Sequence, residues 1–102
     1  MKKLTTLGIF CSLLAFTNSY AADIEAGKEK AGMCIGCHGV DGKALNPAWP
    51  NLAGQNIQYM ELQLVAFQKG ERKNELMTPM AQSLKGDDIA NVAAYFNSLK
   101  TQ

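Results

Sequence analysis

The sequence predicts a small all-α protein. Two stretches carry apolar side chains at the three- and four-residue spacing of an amphipathic helix, and we find no convincing run of alternating β-branched residues of the kind that forms strands. The segment from His38 to Gln55 is rich in Gly, Pro and Asn, which indicates loops. We therefore expect three main helices, with loops that wrap around a common core.

The first helix is predicted from Ile24 to Ala31. Asp23 is placed to cap its beginning, and the acidic residue early in the segment and the lysines late in it suit the helix dipole. Its apolar stripe is thin. From 38 to 55 the composition changes to turn-forming residues, so we expect an irregular segment there.

The second and third helices have clearer apolar faces. The second is predicted from about Asn56 to Lys69, with Gly70 as its stop, and its face consists of Ile57, Met60, Leu64 and Phe67. The third helix is predicted to begin at Gly86, Asp87 and Asp88. Its apolar stripe comprises Ile89, Val92, Ala93, Phe96 and Leu99.

The first 21 residues have the organisation of a secretory signal peptide. Lys2 and Lys3 precede an apolar run from Leu4 to Phe16, and small residues up to Ala21 predict cleavage before residue 22. The apolar run is shorter than the roughly twenty residues that span a membrane, and Cys11 would be removed with it. We expect one periplasmic domain, residues 22–102, without a membrane span in its mature form.

Size and charge limit what this domain does. It has 81 of the 102 residues, at which size a core alone gives little stability and a covalent or metal staple is expected. Without Lys2 and Lys3, eight basic residues face nine acidic ones, a balance near −1. Such a balance argues against nucleic acid or a strongly anionic membrane as partner.

The most informative motif is Cys34-Ile35-Gly36-Cys37-His38, the Cys-x-x-Cys-His pattern that attaches a c-type haem. On a helical turn, the three chemically active side chains face the same side. Cys34 and Cys37 would form thioethers with the porphyrin, and His38 would bind its iron as the proximal ligand. The motif therefore predicts one covalently bound haem c.

Three other interpretations account for fewer of these residues. A thioredoxin-like dithiol needs a strand-helix-strand frame. A structural zinc site needs about four ligands, whereas the exported domain offers two cysteines and one histidine. A disulfide between Cys34 and Cys37 suits an oxidising compartment but gives the adjacent His38 no role.

Three segments together resemble a class I cytochrome c of the small bacterial monohaem kind, and one half of the periplasmic dihaem cytochromes. They are Ala26-Gly27-Lys28 before the haem motif and its Gly39-Val40-Asp41-Gly42 continuation, the run 47–55, and Met77-Thr78-Pro79-Met80 leading into 87–96. The resemblance covers essentially the whole mature chain and implies the cytochrome c fold around one haem. Lys85 departs from it, because the family usually has a serine-like cap there.

The sixth iron ligand is expected to be a methionine sulfur. Met33 is tied to the attachment side and Met60 lies on a packed helical stripe, which leaves two candidates. Pro79 biases Thr78 towards an extended conformation and is suited to start a short helical turn, so Met77 would lie on the freer loop. The resemblance also favours Met77, with Met80 as the alternative.

The resemblance implies further roles around the haem. The carbonyl of Pro47 would accept a hydrogen bond from His38 and fix the imidazole plane. Trp49, Tyr59 and Arg72 are candidate propionate ligands, although the aromatic residues are equally suited to the core and the arginine to solvent. Gly27 would allow the first and last helices to cross closely, with Tyr95 or Phe96 against it.

We expect an exported one-electron carrier with His/Met ligation rather than an enzyme. Its donor would be a quinol-oxidising complex or a dehydrogenase, and its acceptor a terminal oxidase or reductase. Weak steering towards these redox proteins is expected from basic residues, for which the candidates are Lys43, Lys69, Arg72, Lys73 and Lys85. The alternatives are a haem subunit dedicated to one periplasmic dehydrogenase or peroxidase, and a gas-binding haem module.

Overall fold

The structure is a computed structural model that describes residues 2–6, 8–12 and 21–101. Every regular element within these residues is helical, so the all-α prediction is confirmed. The elements are α1 (Ile24–Lys30), a 3₁₀ turn (Ala31–Met33), α2 (Ile35–His38), α3 (Ile57–Lys69), α4 (Met77–Gln82) and α5 (Asp88–Ser98). None of the described helices is long and apolar enough to cross a membrane. Of the region before the predicted cleavage site, residues 1, 7 and 13–20 lie outside the described residues.

The first and last helices cross at Gly27. Asp23 caps α1 as predicted, since its side chain accepts a hydrogen bond from the Ala26 backbone N–H (3.0 Å). The backbone N–H of Asp23 donates to Oδ1 of Asn91 on α5 (2.8 Å), which fixes the two helices together. A Cβ on Gly27 would collide with the Asn91 backbone and lie 3.1 Å from the Cβ of Tyr95. The absence of a side chain at position 27 therefore sets the spacing of α1 and α5, with Tyr95 against the glycine.

Helix α3 has the predicted bounds. Oδ1 of Asn56 accepts from the Tyr59 backbone N–H (2.9 Å) and caps its beginning. Gly70 ends it in the left-handed conformation (φ 74°), which glycine adopts without steric cost. Three residues of the predicted apolar face are buried, namely Met60, Leu64 and Phe67. These side chains join residues of α4 and α5 in one core, in which Phe96 is fully buried.

At Lys85, where the resembled family usually has a serine-like cap, a carboxylate holds the start of α5 instead. The Lys85 backbone N–H donates to Oδ2 of Asp88 (2.8 Å), the first residue of the helix, and this bond closes the turn that precedes it. The same carboxylate lies 3.4 Å from Nζ of Lys30 at the end of α1. The helix ends at Ser98, and Leu99, the last residue of the predicted stripe, is already extended.

Candidate functional site

The haem-attachment motif forms a single helical turn at the edge of an apolar cleft. The backbone N–H groups of Cys37 and His38 both donate to the Cys34 carbonyl (3.2 and 3.0 Å). Gly39, at φ 88°, ends the turn. Cys34, Cys37 and His38 all line the same cleft, so the folded chain brings together the three residues that the sequence singled out.

The His38 imidazole is held by the main chain. His38 is 7% exposed, and its Nδ1 lies 2.8 Å from the carbonyl oxygen of Pro50. A carbonyl accepts hydrogen bonds and cannot donate, so we assign the ring proton to Nδ1. In a neutral imidazole with its proton on Nδ1, Nε2 keeps its lone pair, as binding to a metal requires.

The prediction that the Pro47 carbonyl accepts the hydrogen bond from His38 is wrong, because the acceptor is the carbonyl of Pro50, three residues later. Pro47 is exposed and occupies a turn that the Trp49 backbone N–H closes by donating to the Asn46 carbonyl (3.1 Å). After this turn the chain is fixed again where Leu52 donates to the carbonyl of Gly42 (2.8 Å). The carbonyl that faces the imidazole between these two anchors is that of Pro50.

The cleft has the size and surface of a binding site for an apolar cofactor. Its volume is about 380 Å³, within the range of cofactor and small-molecule pockets. The attachment motif, the loop 48–55, α3, the segment 72–80 and α5 all line it. Its buried apolar residues are Met60, Leu64, Phe67, Val92 and Phe96. The residues present thus fit a haem: two free thiols, an imidazole nitrogen with a lone pair, and an apolar cavity.

Four methionines line the cleft, and they differ in their surroundings. Met33 precedes Cys34, and its sulfur accepts a hydrogen bond from Oγ of Ser83 (3.7 Å). Met60 is buried on α3, Met77 is half-buried, and Met80 is 42% exposed.

Met77 does not lie on a loop before a helical turn, as predicted, but is the first residue of α4. Asn74 is the reason, since its side chain accepts from the backbone N–H groups of Leu76 and Met77 (both 2.9 Å) and starts the turn early. Pro79 is tolerated as the third helical residue, where no intrahelical N–H is needed.

Trp49, Tyr59 and Arg72 all line the cleft. Trp49 is half-buried and Tyr59 is 49% exposed. Arg72 is held in place, because its Nη1 donates to Oε1 of Gln63 (2.7 Å) and its guanidinium lies 4.6 Å from the Phe67 ring centroid. Of the five basic residues considered for steering, Arg72 is the one that lines the cleft.

The geometry disfavours the three other interpretations of the motif. Burial, and then the neighbouring Cys37, raise the pKa of the Cys34 thiol, whereas dithiol oxidoreductases depend on a lowered one. Residues 21–101 contain no strand to frame such a site. Among the described residues, no group of three or more His, Cys, Asp or Glu side chains is arranged to hold a metal ion. Cys34 and Cys37 are both free rather than joined as a disulfide.

Sequence reasoning missed Asn74 and Gln63. Asn74 had a usable signal, because asparagine is among the residues that commonly cap the beginning of a helix. Gln63 had none, since a glutamine on the polar side of a helix looks like any solvated residue. The Pro50 carbonyl is equally invisible in a sequence, because every residue has a carbonyl.

Comparison with known proteins gives a consistent result. The family model described as Cytochrome c matches residues 24–100. Cytochrome c-554(548) of Halomonas halodenitrificans is 49% identical over 81 residues, which are 76% of this chain and 98% of that protein. Cytochrome c4 of Thiocapsa roseopersicina is 48% identical over 75 residues, 72% of this chain and 38% of that one.

A solved structure agrees with these relatives. The crystal structure of reduced recombinant cytochrome c4 from Pseudomonas stutzeri superposes with a TM-score of 0.73 at 40% identity and covers 78% of this chain and 47% of that chain. A protein named thiosulfate dehydrogenase electron acceptor, from Stutzerimonas stutzeri, is 41% identical over 62% of this chain and 31% of its own length. The chain thus spans nearly all of the Halomonas protein and less than half of the other three.

Proposed function

Because the chain belongs to the cytochrome c family, whose members carry covalently bound haem c and transfer electrons rather than catalyse reactions, we propose that it is a soluble periplasmic one-electron carrier with His/Met ligation. The observation that carries this proposal is the His38 geometry. Nδ1 of His38 is hydrogen-bonded to the Pro50 carbonyl (2.8 Å). His38 lies on the same helical turn as two free thiols, and all three residues line an apolar cleft.

Each residue of the attachment turn has one role in this proposal. Cys34 and Cys37 would hold the haem through thioethers, and His38 would bind the iron through Nε2. The haem supplies reversible one-electron exchange between Fe(II) and Fe(III). The Pro50 carbonyl fixes the plane of the imidazole and increases its basicity, as outer hydrogen bonds to metal-binding histidines do.

Met77 is the proposed second axial ligand, with Met80 as the alternative. Met77 is half-buried and packs against the core, whereas Met80 is 42% exposed. A thioether ligand favours the reduced state and raises the potential relative to a second imidazole. With His38 and Met77 both holding the iron, small ligands would be excluded.

Trp49, Tyr59 and Arg72 are proposed to bind the propionates. Arg72 is the best placed, since its contacts with Gln63 and Phe67 hold a positive charge at the cleft. Apolar side chains make up most of the remaining cleft lining and reduce the access of water, so little solvent reorganises when the charge on the iron changes.

Export is the remaining part of the proposal. Residues 1–21 would be removed as a signal peptide and residues 22–102 would act in the periplasm, where the donor is a quinol-oxidising complex or a dehydrogenase and the acceptor an oxidase or reductase. The name of the Stutzerimonas relative favours a second candidate, namely a haem protein that serves one dehydrogenase. Co-purification with a single enzyme at constant stoichiometry would support this candidate over a free carrier.

An absorption spectrum with and without carbon monoxide tests the proposed ligation. We expect a low-spin ferrous spectrum that the gas does not change, and a pigment that stays with the protein in acidified organic solvent. Met77→Ala should remove the sulfur-to-iron charge-transfer band and Met80→Ala should keep it. The reverse pattern would transfer the ligand role to Met80, and ready gas binding by the wild type would contradict the carrier proposal.

A further inference from the structure

Helix α4, which carries both candidate sulfur ligands, begins at a reciprocal cap formed by two side chains. Oδ1 of Asn74 accepts from the backbone N–H groups of Leu76 and Met77, both at 2.9 Å. The Asn74 backbone N–H donates to Oγ1 of Thr78 (3.1 Å), and the Thr78 N–H donates to the Asn74 carbonyl (3.0 Å). Four hydrogen bonds within five residues thus fix the backbone around Met77, one of them from the Met77 N–H itself.

The far end of α4 is held differently, by another helix. Nε2 of Gln68 on α3 donates to the carbonyls of Ala81 (2.8 Å) and Leu84 (3.2 Å). Ala81 is 0% and Leu84 5% exposed, so this end lies inside the core. The segment before Met77, residues 71–76, is exposed throughout. Any local opening that withdraws the Met77 side chain therefore starts at the first turn, where Asn74 acts.

We propose that Asn74 is a positioning residue that determines how firmly the Met77 sulfur occupies the iron. This inference rests on the proposed His38/Met77 ligation. Without the Oδ1 acceptor, two N–H groups of the first turn lose their partner and the turn frays. The Asn74 side chain acts only as an acceptor towards these two N–H groups. An aspartate at position 74 should therefore preserve the cap, whereas an alanine should remove it.

The population of opened molecules is measurable, because imidazole binds the ferric iron only after the sulfur has left. The apparent affinity for imidazole then rises in proportion to the opened fraction. The haem-loaded Met80→Leu protein is the parent, so that no second sulfur on α4 substitutes for the first. Asn74→Ala in this parent should bind imidazole about five- to tenfold more tightly, the usual effect of losing a helix cap, and Asn74→Asp should bind as the parent does.

Asp23→Ala is the matched control. It removes one helix cap of the same kind from α1, whose residues do not line the cleft. It should lower the melting temperature and leave the imidazole affinity unchanged, whereas a structural role for Asn74 alone would make the two alanine variants alike.

Three results would overturn the inference: an Asn74→Ala affinity equal to the parent's, an equal rise in Asp23→Ala, or failure of Asn74→Asp to restore the parent value. Failure of the underlying ligation has a separate signature. A Met80→Leu parent that already lacks the sulfur-to-iron band would refute ligation by Met77, and with it the role of Asn74, before position 74 is changed.

Discussion

Replacement of Gly27 by alanine should weaken the crossing of α1 and α5. The new Cβ would collide with the backbone of Asn91 and lie 3.1 Å from Cβ of Tyr95. A backbone carbonyl cannot rotate away as the tip of a flexible side chain does. We therefore expect the upper part of the usual overpacking cost, about 3 kcal/mol, less about 1 kcal/mol that alanine gains over glycine within a helix.

The net loss of about 2 kcal/mol corresponds to a fall in melting temperature of roughly 8–16 °C for a domain of this size. Thermal unfolding of the haem-loaded protein, followed by far-ultraviolet circular dichroism, measures it. Gly32→Ala is the matched control, because no atom lies within 4 Å of a Cβ built there. A fall of less than about 4 °C for Gly27→Ala, which is under about 1 kcal/mol, or an equal fall for Gly32→Ala, would refute the steric argument.

Two further perturbations test the core and the start of α5. Phe96→Ala should cost about 3–5 kcal/mol, because the side chain is fully buried, and a urea titration should show it as a lower midpoint that the fully exposed Leu45→Ala control lacks. At Asp88, the hydrogen bond from the Lys85 backbone N–H, and to a lesser degree Lys30, hold the pKa of the carboxyl below its ordinary 3.8. Since the folded pKa is lowered, the stabilisation is complete above that ordinary value and is lost as the pH falls through the folded one. The difference in melting temperature between wild type and Asp88→Asn should therefore be constant near neutral pH and close in strong acid, and a gap that persists there would contradict the assignment.

The parts of the fold that local chemistry determines could be predicted from the sequence. Helix α3 has both an asparagine cap and a glycine stop around a regular apolar face, and its predicted and observed bounds agree. The three residues of the attachment motif are adjacent in the chain, so one helical turn suffices to bring them together.

Tertiary contacts decided the rest. Which carbonyl meets His38 depends on where the turn 46–49 closes, and no local signal separates Pro47 from Pro50. The start of α4 depended on the choice between two competing effects, the extended preference of a residue before proline and the capping ability of Asn74. The cap prevails, because Asn74 satisfies two N–H groups at once.

The hydrogen bond between His38 and Pro50 has an evolutionary consequence, since its acceptor belongs to the main chain. An acceptor carboxylate or amide can be deleted by one codon change, but a peptide oxygen survives substitution of the residue that bears it. The loop around position 50 can therefore drift in sequence without cost to the imidazole, provided that its length and path are kept. Insertions and deletions in this loop would break the hydrogen bond to His38, whereas most point substitutions would keep it.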